Sequence, residues 1–213
     1  MSEETYEKFY KQNYNDDFIF LGQFTQESNK MIVSDPCYVY NPAKHKNIPN
    51  QINHLFVFNK VMRGDWNVWS YHWDNGAVCE LVAIYCPFNI SKHTDAVDYH
   101  FASRDWENAA TVCVDSGQLG IYDFKHYRDD ENLEDLKIWK EYKIQKDGDK
   151  WYAANCHISL NDDHAGIINN GCVASPCFGD GLYNIEVLKF EDKVAGVRLV
   201  FDDGGSDSDD DSE

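Results

Sequence analysis

The sequence predicts an α+β domain dominated by an antiparallel β-sheet, sandwich-like or an open barrel, with a few helices. Three observations carry that expectation. Leu182 to Phe190 and Val194 to Phe201 alternate apolar and polar residues around the polar turn Glu191-Asp192-Lys193, which is the pattern of a hairpin. Asp74-Asn75-Gly76 joins two further strand-like runs, and Asn-Gly accepts the positive φ that tight hairpins need. Strand-like segments outnumber helical ones, and most of their links are short and turn-like.

Taken in order, Ser2 with Glu3 and Glu4 starts a short helix over residues 3–12, with Tyr6, Phe9 and Tyr10 on its apolar edge. Residues 1–17 thus form a helical lead-in. Phe18 to Phe24 and Met31 to Ser34 read as strands, and Asp35-Pro36-Cys37-Tyr38 stops the second, because proline blocks its continuation. Residues 41–53 read as a loop. The apolar run Leu55 to Met62 fits helix or strand equally. Trp66 to Trp73 is a strand with Trp66, Val68, Ser70 and His72 on one face and Asn67, Trp69, Tyr71 and Trp73 on the other. Ala77 to Cys86 returns after the Asn-Gly turn and ends at Pro87, and residues 88–105 are irregular.

Ala109 to Asp115 and Leu119 to Phe124 are strands around the turn Ser116-Gly117-Gln118. Asn132 to Lys143 has helical apolar spacing through Leu133, Leu136, Ile138, Trp139 and Tyr142. Asp147-Gly148-Asp149 is superficially similar to a calcium loop but lacks its ligand spacing, and reads as a turn into Trp151 to Leu160. A link, residues 161–171, leads to the terminal hairpin. No internal repeat is evident. The β-rich domain therefore spans residues 18–201, followed by an acidic tail over residues 202–213.

The formal net charge is −18, and the last twelve residues hold seven of the acidic groups, which leaves −11 on residues 1–201. With no basic cluster, the surface repels phosphate backbones, so no nucleic-acid partner is expected. Neither a membrane span nor a secretory signal is legible, so the expected location is cytoplasmic, with the seven cysteines as reduced thiols. Their spacing matches no standard zinc arrangement. The tail lacks apolar surface and its charges repel, so it is expected to be disordered. Ser206 and Ser208 stand in acidic contexts that suit acidophilic kinases, and the tail is a solubilising segment or a contact for a basic protein.

Three segments share a chemistry: Ser34 to Tyr38, Val114 to Asp123, and Ser175 to Asn184. Each sets an Asp at a strand end or tight turn, the latest being Asp180 between Gly179 and Gly181. Converging carboxylates bind a divalent cation or divide their pKa values for acid–base work. Asp35, Asp115 and Asp180 are therefore candidate metal ligands, for calcium or magnesium. Tyr38, Asp115, Ser116, Gln118, Asp123, Asp180 and Tyr183 are candidate ligand-binding residues. Asp35, Cys37, Asp115 and Asp180 are the candidates for catalysis, with Cys37 as a nucleophile. The plainer reading of each Asp is a turn former bonding nearby N–H groups, and of each Cys a buried reduced thiol. Trp66, Trp69 and Trp73 fit sheet packing better than ligand stacking.

The same segments carry a resemblance. Val33 to Tyr38, Gly64 to Trp66, Val114 to Gly120, Ser175 to Tyr183 and Val197 to Phe201 resemble, in order and spacing, the pattern of an uncharacterised domain family of bacteria, phages and protists. The resemblance implies a domain over residues 18–201 with its site in the three Asp segments, and supplies no reaction. Cys177 stands where the family pattern has a small residue. Two functions are expected to compete: a binding module for a small ligand or divalent cation, and a hydrolase using the same carboxylates.

Overall fold

The computed structural model describes residues 18–43, 52–73, 75–86, 106–129 and 149–201. The helices expected over 3–12 and 132–143, the irregular stretch 88–105 and the acidic tail lie outside these residues. The strands are β1 (Phe18–Gln26), β2 (Met31–Ser34), β3 (Ile52–Asn53), β4 (Leu55–Phe58), β5 (Gly64–His72), β6 (Val78–Tyr85), β7 (Glu107–Val114) and β8 (Leu119–Asp123). A 3-10 turn (Phe124–His126) and helix α1 (Lys150–Ser159) follow. The remaining strands are β9 (Ala165–Ile167), β10 (Gly171–Ala174), β11 (Gly181–Phe190) and β12 (Lys193–Val200).

They form two sheets, one of seven strands in the order β1-β5-β6-β12-β11-β7-β3 and one of five in the order β4-β2-β8-β10-β9. All pairings are antiparallel except the short parallel pair β3–β7. Among the described residues the sheets do not close into a barrel; they face each other as a sandwich. Phe24, Trp66, Val68, Leu81, Val112, Ile185 and Leu199 from the larger sheet meet Met31, Val33, Leu119 and Ile121 from the smaller one in a common core. Helix α1 covers the other face of the smaller sheet, where Trp151, Ala154 and Ile158 pack on Ile32, Tyr122 and Val173.

This layering explains the sequence patterns. The five-stranded sheet is covered on both faces, so β2, β4, β8 and β10 are buried at every position and show no alternation. For that reason Leu55 to Met62 was ambiguous as a pattern; it is a strand that stops at Phe58. β3 falls within the expected loop 41–53, and β9 within the expected link 161–171; both are too short for a period to show. In the seven-stranded sheet, β11 and β12 pair as expected, with Tyr183, Ile185 and Val187 inward. Trp66 and Val68 enter the common core, while Trp69 joins Val82 and Ile84 on the outer face.

The chain passes between the sheets at β1–β2, β2–β3, β3–β4, β4–β5, β7–β8 and β10–β11. Two buried carboxylates pin two of these crossings. Asp123 accepts from Glu27 N (2.6 Å), Ser28 N (3.0 Å), Ser28 Oγ (2.5 Å) and Lys125 N (3.0 Å), fixing the β1–β2 turn. Asp35 does the same for the β7–β8 turn.

Candidate functional site

Asp35 follows β2, and proline after it ends the strand so that its side chain turns inward; it is fully buried. Its Oδ2 accepts from the backbone N–H groups of Asp115 (2.9 Å) and Ser116 (2.8 Å). Its Oδ1 accepts from Ser116 Oγ (2.6 Å) and from the N–H of Cys37 (2.8 Å). With four donors on its two oxygens, Asp35 is a pin for two turns and has no oxygen left for a cation, which corrects its assignment as a metal ligand. Ser116 is likewise committed to Asp35.

The third segment clamps the same turn. Gly117 N donates to Asp180 Oδ1 at 2.8 Å, and Ser175 Oγ donates to Gly117 O at 3.1 Å. Gly117 adopts a φ of +67° and Gly179 one of +69°, conformations that glycine enters without the Cβ penalty of other residues. The three Asp segments thus meet at the β7–β8 crossing. Tyr183 supports the junction from beneath: it is buried against Phe201 and donates its hydroxyl to Gly179 O at 2.9 Å. It acts as a strut for the loop, and its assignment as a ligand contact is corrected accordingly. Asp123 lies at the far end of β8, about 13 Å along a strand rising roughly 3.3 Å per residue, so it takes no part in this junction.

Asp115 differs from its neighbours. Its carboxylate is exposed and is held by side chains: the Tyr38 hydroxyl donates to Oδ2, and the Cys113 thiol donates to Oδ1 at 3.3 Å. The Tyr38 bond, then the Cys113 bond, hold its pKa below the ordinary carboxylate value. The Tyr38 ring meets the His54 imidazole edge-on at 5.0 Å. His54, Cys113 and Asp115 bring one ligand atom each within 4.8 Å of one another. Neither His54 nor Cys113 stood out in the sequence. Cys113 and Asp115 share a face two residues apart, and the pairing of Asn53 with Val112 carries His54 alongside them.

Toward α1 the junction is also lined. Gln118 is buried, with Nε2 3.1 Å from Cys156 Sγ and Oε1 buried without a hydrogen-bond partner. The Cys37 thiol is pushed up to about 12, by burial first and by the Asp35 carboxylate next. It is protonated at neutral pH, the opposite of what a nucleophile requires. The large groove of about 840 Å³ lies elsewhere, at the other end of β8, lined by Thr25, Gln26, Ser28, Arg63 and Lys125. None of the expected site residues lines that groove. The chain matches no family model, no curated protein and no solved structure.

Proposed function

We propose that the protein is a binding module whose site is the junction of the three turns, taking a small ligand or a divalent cation. One contrast supports this reading. Asp35 is buried and spends its oxygens on the β7–β8 turn and on Cys37 N, while Asp115, carried by the turn it pins, is exposed, its carboxylate bonded among the described residues by Tyr38 and Cys113 beside His54. A rigid turn presenting an exposed carboxylate amid an imidazole, a thiol and a phenol is a preorganised polar contact. The resemblance of the three segments to the domain family points to the same place. The hydrolase alternative is weaker, because its nucleophile, Cys37, is held as the thiol.

In this reading the protein works in the cytoplasm on a small ligand or ion, without nucleic acid, and its acidic tail is left to meet a basic protein. No helix among the described residues is long and apolar enough to cross a membrane. The test is thermal unfolding of the full chain against a panel of divalent cations and small metabolites, in the wild type and in Asp115→Asn. A ligand at about 100 times its Kd stabilises the fold by about 2.7 kcal/mol. The expected result is a rise in Tm that Asp115→Asn loses; an equal rise in both proteins would move the site elsewhere.

A further inference from the structure

Within that junction, we propose that His54, Cys113 and Asp115 form a site for a borderline-soft transition-metal ion, of which Zn²⁺ is the type. The inference rests on the binding reading above and names its ligand. Calcium and magnesium take oxygen ligands, but Asp35 is filled by four donors, Asp180 gives one oxygen to Gly117 N, and among the described residues no three carboxylates gather within ligand distance. What the junction does present is one imidazole nitrogen, one sulfur and one carboxylate oxygen, the donor set that selects zinc and its neighbours.

The geometry is close to that required. A tetrahedral zinc with bonds of about 2.0–2.3 Å sets its ligand atoms about 3.3–3.8 Å apart. Cys113 Sγ and Asp115 Oδ1 are already 3.3 Å apart, and the remaining separations stay within 4.8 Å. His54 and Asp115 are exposed, which leaves their side chains room to turn toward a shared ion. Three protein ligands leave the fourth position open to water or to a small ligand, as in catalytic rather than structural zinc sites. Tyr38 then acts as the outer partner that orients Asp115.

The experiment is a titration of the full reduced chain with Zn²⁺ by calorimetry and with Co²⁺ by absorption spectroscopy, in the wild type, Cys113→Ser and His54→Ala. The wild type should bind one equivalent, with a thiolate-to-cobalt charge-transfer band. Cys113→Ser should lose the band, and each variant should weaken binding at least tenfold while keeping its far-ultraviolet circular dichroism. A band that persists in Cys113→Ser, or tight binding unaffected by His54→Ala, would overturn the site. Stabilisation by Ca²⁺, Mg²⁺ or an organic ligand that needs Asp115, without Zn²⁺ binding, would overturn this inference and leave the binding reading standing. If no cation or metabolite engages the junction, both fall.

Discussion

Ser116 meets both oxygens of the Asp35 carboxylate, its N–H reaching Oδ2 at 2.8 Å and its hydroxyl reaching Oδ1 at 2.6 Å, across 81 residues of chain. This double contact fixes the β7–β8 turn against the end of β2, and so sets where Asp115 stands. A donor left without its acceptor on burial costs about 1–3 kcal/mol, and Asp35 serves four. Asp35→Ala should therefore destabilise the protein by about 3 kcal/mol or more in urea unfolding. Ser116→Ala, which loses one charge-assisted bond, should cost about 1.5–3 kcal/mol. A loss below about 1 kcal/mol for Asp35→Ala would show that the turn is held by something else.

Asp115 carries a pH signature. Its pKa is depressed when folded, chiefly by the Tyr38 hydroxyl, so its contribution to stability is present above the unfolded value of about 3.9 and is lost as pH falls through the folded one. In Tyr38→Phe the Asp115 carboxyl should titrate closer to its ordinary value, and the mutant should lose less stability than the wild type on acidification. Carboxyl NMR titration of both proteins reads this directly. An unchanged Asp115 titration would mean that Tyr38 does not reach it in solution.

Cys37 should be inert at neutral pH. With its thiol pushed up to about 12, alkylation by iodoacetamide at pH 8 should be at least tenfold slower in the folded protein than in urea, read by peptide mass spectrometry. Because the folded pKa is raised, the associated stability is present below the ordinary thiol range and is lost as pH rises toward the folded value. Rapid labelling of Cys37 in the native protein would restore the hydrolase reading.

The parts of the fold that were legible in the sequence are the parts governed by local rules. The β11–β12 hairpin and the Asn75-Gly76 turn announce themselves through alternation and turn chemistry. Helix α1 was hidden although Asp149 caps it, accepting from Tyr152 N at 3.0 Å. Its buried positions, Trp151, Ala154, Asn155, Ile158 and Ser159, follow helical spacing, but Asn155 and Ser159 are polar and break the apolar stripe. Asn155 is buried with its Nδ2 donating to Trp151 O in its own helix and its Oδ1 accepting from the Tyr122 hydroxyl, a partner that only the tertiary fold supplies.

The site divided along the same line. Three similar Asp turns were legible as a set, and they do meet. Which carboxylate is a pin and which is presented depends on burial: Asp35 is buried, Asp115 on the turn it pins is exposed, and Asp123 pins a different turn at the other end of β8. His54 comes to Cys113 through a parallel pairing of two residues with β7, a contact that no periodicity encodes.

The central claim is that the junction around Asp115 is where this protein binds. The most direct measurement is amide NMR of the isotope-labelled full chain during titration with Zn²⁺ and with the ligands that raise Tm. The account predicts shifts concentrated at Tyr38, His54, Cys113, Asp115 and Gly117. Shifts centred instead on Thr25 to Asn29, Arg63 and Lys125, around the groove at the far end of β8, would contradict it.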